Sequence, residues 1–267
     1  MTSVASQSRY GSRLLTVCAP IGFGALVLLL WQSAIILFQV PAFILPSPLA
    51  IGGQLVTYGE SVLSGSLNTG RNAFVGLLGG SVLALVFALL SGFFRPVESL
   101  SAPLVAAVAV LPIVALAPVL YSMYGADRET TRQVVAGLAT FVPVYTNTLR
   151  GLRQVTPVHR DLLRAYAASP WQGARKVTFP GAIPHVFTGL RIASSLAVVS
   201  ALIAEYFGGP VSGLGKAITS AASSSNYSLA WAYVFGSIAL GTLFYVVTLA
   251  LERFASHRLT PRNTAER

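Results

Sequence analysis

A chain of 267 residues with 54% hydrophobic residues, only 10% charged residues and a mean hydropathy of +0.69 lacks the polar surface needed to cover a water-soluble globule of its size. Its net charge of +10 does not point to nucleic acid, because the basic residues fall between long apolar runs and do not interleave with aromatics on one face. The single cysteine, Cys18, excludes an intrachain disulfide and a thiolate-rich metal cluster.

A membrane helix needs about 20 apolar residues, and six runs approach that length. The chain therefore reads as an all-α polytopic membrane protein with about six transmembrane helices. A tail, 1–13, leads into the first span, 14–38. That span follows Arg9 and Arg13 like a signal sequence, but its apolar run is too long and no small-residue cleavage site is evident, so it reads as a signal anchor. In the loop 39–71 the prolines Pro41, Pro46 and Pro48 break the chain, and 48–64 is expected to form a short helix at the outer interface. Five further spans are expected within 72–251: 72–94, 100–124, 133–149, 185–207 and 229–251. A polar loop, 151–184, separates the fourth from the fifth, and a charged tail, 252–267, closes the chain.

With the amino terminus inside, 14 of the 18 Lys and Arg residues fall on one side, seven of them between Arg150 and Arg191. Arg71, Arg128, Arg132 and Lys216 fall on the other. The positive-inside rule then places both termini and the long loop in the cytoplasm.

Within the spans, Gly76 and Gly80 form a Gly-x-x-x-Gly pair with Gly79 beside them, which allows another helix backbone to approach closely. Pro112, Pro118 and Pro143 each remove a helical hydrogen bond inside a membrane segment, which is tolerated where neighbouring helices or a water-filled cavity supply partners.

The polar loop carries helix punctuation twice. Thr156 can cap a helix starting at Pro157, and Ser169 can cap a second starting at Pro170, with Gln172 completing a Ser-x-x-Gln capping box. The expected result is a helix over 157–168, a sharp turn at Ser169, and a short helix ending before Phe179-Pro180.

Here the sequence resembles the permease subunits of type I ATP-binding-cassette (ABC) importers. Their cytoplasmic loop carries Glu-Ala-Ala, a Gly six residues after the Glu, then Ile-x-Leu-Pro. The matching frame is Asp161-Leu162-Leu163, Ala167 and Val177-Thr178-Phe179-Pro180, with two departures: the alanines are lost, and Ala167 replaces the glycine. Ala168-Ser169, Trp171-Gln172 and Ala182-Ile183-Pro184 also match in context. So do LPSP at 45–48, Leu111-Pro112, Ala117-Pro118, PVYTNT at 143–148 and AEYFGGPVSGLG at 204–215, an order similar to the nitrate, sulfonate, taurine and thiamine-precursor branch.

The resemblance implies a type I importer permease fold, with spans two to six as a core and span one wrapped around it. It implies two such subunits forming the pathway, a pair of cytoplasmic ABC ATPases docked through the loop, and an extracytoplasmic binding protein delivering a small solute. It further implies that Asp161, Arg164, Ala167, Ala168, Ser169, Trp171, Gln172, Phe179 and Pro180 couple the loop to the ATPase. The solute class it suggests is a sulfonate-, nitrate- or taurine-like anion, or a pyrimidine- or thiamine-precursor-like heterocycle.

No Walker phosphate loop occurs, so ATP and magnesium are expected on the partner ATPase, with no cofactor on this chain. His159, His185 and His257 are far apart in sequence with no acidic ligand pattern, so no metal site is expected. No catalytic residue is proposed. A membrane enzyme, channel or ATP-independent secondary transporter remains the rival reading, although a proton-coupled carrier usually places ionisable groups at midplane. Tyr121, Tyr145, Asn147, Thr148 and Ser200 are candidate pathway-lining groups, with helix packing as the alternative. Glu205, beside Gly208-Gly209-Pro210, is a candidate for the outer gate, or else an acid snorkelling to headgroup water.

Overall fold

The computed structural model describes residues 8–125, 128–209 and 212–259. The first residues of the amino-terminal tail, the end of the carboxy-terminal tail and Pro210 lie outside them. Eleven helices follow in order among these residues: α1 (Ser8–Phe38), α2 (Pro48–Thr57), α3 (Gly59–Phe93), α4 (Arg95–Val110), α5 (Ile113–Tyr124), α6 (Thr130–Arg153), α7 (Pro157–Ala165), α8 (Pro170–Gly173), α9 (Phe179–Phe207), α10 (Leu214–Ser223) and α11 (Tyr227–Leu259). A π-helical turn, Ala174–Thr178, joins α8 to α9.

The chain divides into two compact units. The smaller one, residues 1–59 with 220–232, holds α1 and α2. In it the Leu49 N–H donates to Gln32 Oε1, and Trp31 meets Trp231 edge to face with ring centroids 5.8 Å apart. Helix α1 leaves Ile21, Phe23, Leu29 and Leu37 exposed, as an apolar helix in lipid would. Ser47 caps α2 by accepting from the Ala50 N–H. The helix expected over 48–64 is thus shorter, and the chain from Gly59 already belongs to the long helix α3.

The larger unit, residues 60–219 with 233–267, contains the core. Helices α6 and α9 pack along much of their length, because glycines remove side chains from their crossing. A Cβ at Gly189 would lie 2.9 Å from the Pro143 carbonyl, and one at Gly151 would lie 2.7 Å from His185 Cβ. Helix α3 reaches α6 in the same way, through Gly76 and Gly80 against Ala136, Gly137 and Thr140. The Thr140 hydroxyl donates to the Gly137 carbonyl in its own helix and reaches the Gly76 carbonyl across the crossing at 3.4 Å.

Among the described residues, four helices are long and apolar enough to cross a membrane. They become five when α4 and α5, bent by 103° at Leu111–Pro112, are counted as one broken span. The continuous third span expected over 100–124 is therefore interrupted where Pro112 cannot donate a helical hydrogen bond. The fourth expected span exists as α6 but is not among the apolar helices. It buries Thr131, Arg132, Thr140, Tyr145 and Thr148 against neighbouring helices, so its polarity is hidden by protein.

Candidate functional sites

The polar loop forms a helical hairpin. Thr156 caps α7 and accepts from the His159 N–H at 3.4 Å. At the other end, the Ala168 N–H donates to the Leu163 carbonyl and the Ala167 N–H to the Arg164 carbonyl, the paired bonds of a Schellman motif. Helix α7 thus stops at Ala165, and the turn is Tyr166–Ala168, three residues earlier than the sequence suggests. Ser169 then begins the second arm with the expected capping box: its N–H donates to Gln172 Oε1 at 2.8 Å, and the Gln172 N–H donates back to Ser169 Oγ at 3.3 Å.

Both departures from the family pattern acquire a physical account. Ala167 has φ +46°, the left-handed conformation that the usual glycine would take at no cost. The turn is therefore made by a residue that bears the cost of a Cβ in αL. Leu163, in place of alanine, lies against Gly173, whose added Cβ would sit 3.2 Å from Leu163 Cδ1, so the leucine closes the hairpin from inside. Replacing Ala167 by glycine is expected to stabilise the protein by about 1 kcal/mol. Denaturant unfolding of the purified variant checks this, and an unchanged or lowered midpoint would contradict the strain.

The second arm does not end before Phe179-Pro180. Pro180 has no N–H to offer the Lys176 carbonyl, and the helix widens into the π turn just before it, with the Phe179 N–H reaching back to the Ala174 carbonyl. It then continues into α9, so residues 170–207 run as one helix of 38 residues. Phe179 sits in an aromatic cluster, edge to face with Trp171 at 6.3 Å and with Phe93 of α3 at 5.8 Å.

Asp161 and Arg164 are exposed and form a loose ion pair at 3.7 Å. Around them Val158 and Leu162 of α7 and Tyr166 just after it, at four-residue spacing, are 71%, 54% and 78% exposed, and Trp171 is 66% exposed. Large apolar side chains presented by a short helix in a basic loop form a surface suited to burial against another protein.

The pathway candidates are not brought together. Tyr145 is buried in a triangle of hydroxyls with Ser91 and Ser101, at 2.8 to 3.1 Å, tying α3, α4 and α6 together. Beneath it, Glu98 at the start of α4 pairs with Arg153 at the end of α6. Asn147 donates to the Pro143 carbonyl of its own helix, Thr148 and Ser200 are buried, and the Tyr121 hydroxyl donates to the Ala204 carbonyl at 3.2 Å. A separate groove of about 700 Å³ runs between α9, α10 and α11. It is lined by Leu202, Tyr206, Phe207, Ile218, Ile238, Tyr245 and other uncharged side chains.

Glu205 is fully buried, which rules out the snorkelling alternative. Its carboxylate accepts from the Thr69 hydroxyl and from the Gly215 N–H, each at 2.9 Å, and lies 3.8 Å from the guanidinium of Arg132. Arg132 is equally buried, so it is not the free outer-loop charge that sequence suggests. Sequence reading missed both Arg132 and Thr69. The available signal was that Glu205 is the one carboxylate inside an expected span, which calls for a cation, and that Arg132 stands at the edge of another. Among the described residues, no group of three or more His, Cys, Asp or Glu residues could hold a metal.

Residues 67–259 match the family model described as the binding-protein-dependent transport system inner membrane component. The riboflavin transport system permease protein RibX of Chloroflexus aurantiacus is 35% identical, over 85% of each chain. The taurine transport system permease protein TauC of Escherichia coli is 27% identical, over 92% of this chain and 90% of its own. Among solved structures, an amino acid ABC transporter crystallised with histidines superposes with a TM-score of 0.59 at 16% identity, covering 77% of this chain and 95% of that one.

Proposed function

Because the chain belongs to the family of binding-protein-dependent transport system inner membrane components, and is thus a multi-pass permease subunit of an ABC importer, we infer how its parts serve import. The observation that carries this reading is the doubly capped hairpin with its exposed Val158, Leu162, Tyr166 and Trp171. This surface docks a cytoplasmic ATPase, which supplies the ATP and magnesium that the chain has no phosphate loop to bind. A passive link between neighbouring helices needs about 2–8 residues, and this hairpin is far longer.

Two copies of the permease form the pathway, and a soluble binding protein delivers the solute at the outer face. Both termini and Arg175 lie in the cytoplasm, on the strength of the basic-residue asymmetry. Glu205 supports the outer gate. The solute is of the anion class suggested by the taurine relative or the heterocycle class suggested by the riboflavin relative. The uncharged lining of the groove between α9, α10 and α11, together with the higher identity to RibX, favours the heterocycle.

Reconstitution into sealed vesicles tests the reading. Solute uptake is expected only when the permease, its ATPase, its binding protein and ATP are all present. Uptake by the permease alone would instead identify a secondary transporter or channel. Thermal stabilisation of the binding protein by a compound panel then identifies the solute, and stabilisation by sulfonates alone would reverse the preference for a heterocycle. In whole cells, Arg175→Cys in a Cys18→Ser background is expected to resist an impermeant thiol reagent, and external labelling would invert the topology.

A further inference from the structure

A buried pair of ionisable side chains in a membrane protein carries a desolvation cost that packing alone does not require, so its surroundings reveal what it holds. Arg132 and Glu205 are both 0% exposed and stand where five elements converge. Glu205 of α9 accepts from the Gly215 N–H, and Thr69 of α3 accepts from the Leu214 N–H at 2.9 Å while donating to Glu205. Leu214 and Gly215 are the first two residues of α10. Their N–H groups have no partner within their own helix and are ordinarily satisfied by a local capping residue. Here the caps come from two other helices, and the Glu205 carboxylate also faces the positive end of the α10 dipole.

The space around the caps is closed. A Cβ at Gly213 or Gly215 would collide with the Glu205 side chain. On the far side, Arg132 also interacts with the Tyr121 hydroxyl. A Cβ at Gly209, which has φ +99°, would lie 2.5 Å from the Arg132 guanidinium and 3.0 Å from the Tyr121 hydroxyl. The turn leaving α9 and the start of α10 are therefore fastened from both sides by one polar cluster.

We propose that Thr69, Glu205 and Arg132 form a latch that caps α10 from outside its own helix, with Arg132 as a positioning residue that aims the Glu205 carboxylate at the α10 amino end. This rests on the reading of Glu205 as a support of the outer gate and gives that gate its moving part. While the latch is closed, α10 moves with α3, α6 and α9. When it opens, the Leu214 and Gly215 N–H groups are released and α10 is free to swing.

The test compares Arg132→Gln, Thr69→Val, Thr69→Ser and Glu205→Gln in vesicles holding the assembled transporter, measuring solute taken up per ATP hydrolysed. That ratio is unaffected by how much protein folds. Arg132→Gln and Thr69→Val are expected to lower it by at least about fivefold while hydrolysis persists, and Thr69→Ser, which keeps the hydroxyl, is expected to preserve it. A parental ratio in Arg132→Gln and Thr69→Val, with Glu205→Gln impaired, would overturn the latch and leave the gate reading standing. A parental ratio in Glu205→Gln would overturn both. Amide hydrogen exchange on the unmodified transporter is independent of variant folding. The peptide containing Leu214 and Gly215 is expected to exchange about tenfold faster when the ATPase is trapped with vanadate, and equal protection in both states would show that the latch does not open.

Discussion

Replacing Gly80 by leucine is expected to lower the amount of folded protein in the membrane several-fold. A side chain at this position would collide with the Gly137 backbone and the Thr140 hydroxyl, so α3 and α6 must move apart. Overpacking a tight contact costs about 1–3 kcal/mol, and more when backbone opposes it, which is a large share of a typical total stability of about 5–15 kcal/mol. Gly76→Leu is expected to act likewise, since even its Cβ would lie 2.5 Å from that of Ala136 and 2.7 Å from the Gln133 carbonyl. Gly79→Leu is the control, because nothing stands within 4 Å of its added Cβ. Membrane abundance and thermal melting in detergent decide the matter. Equal loss in all three variants would mean that the helix tolerates no bulk anywhere and that the crossing is not what Gly76 and Gly80 serve.

Loss of coupling is the expected result for the hairpin. Ala168 follows the left-handed turn and immediately precedes the Ser169 cap, so an arginine there would place a long charged side chain at the tip of the hairpin, beside the proposed contact. Trp171→Ala removes a large exposed ring that also steadies Phe179. Each variant is expected to reduce co-purification with the ATPase by about tenfold or more, because truncation of an anchoring aromatic commonly costs at least 2 kcal/mol of binding. Binding-protein-stimulated hydrolysis is expected to fall in parallel. Normal co-purification and coupled uptake in both variants would remove the hairpin from its role as the joint.

The membrane class and the hairpin were legible in the sequence because their signals are local. Apolar length marks a span, and Ser169 with Gln172 three residues on marks a cap, whatever else the chain does. The course of the helix through Pro180 was not legible. A proline usually reads as a boundary, and only the tertiary setting reveals that a π turn absorbs the missing donor. Arg132 was misplaced for a related reason. A charge at the edge of an apolar run is read by default as a loop residue, whereas its actual state depends on Glu205, 73 positions away. The glycine pair Gly76 and Gly80 announced a close approach, but its partner on α6 carries no motif of its own beyond Gly137 and small neighbours.

The uninterrupted helix through residues 170–207 places Trp171 and Glu205 on a single rod of 38 residues. At 1.5 Å per residue its length is roughly 57 Å. A tilt of about 10° around its midpoint would carry each end sideways by about 5 Å in opposite directions, so a pull on the Trp171 end becomes a thrust at the Glu205 end without any intermediate part. The π turn lies close to the Trp171 end, and beyond it α9 runs to the carboxylate with Pro184 inside it.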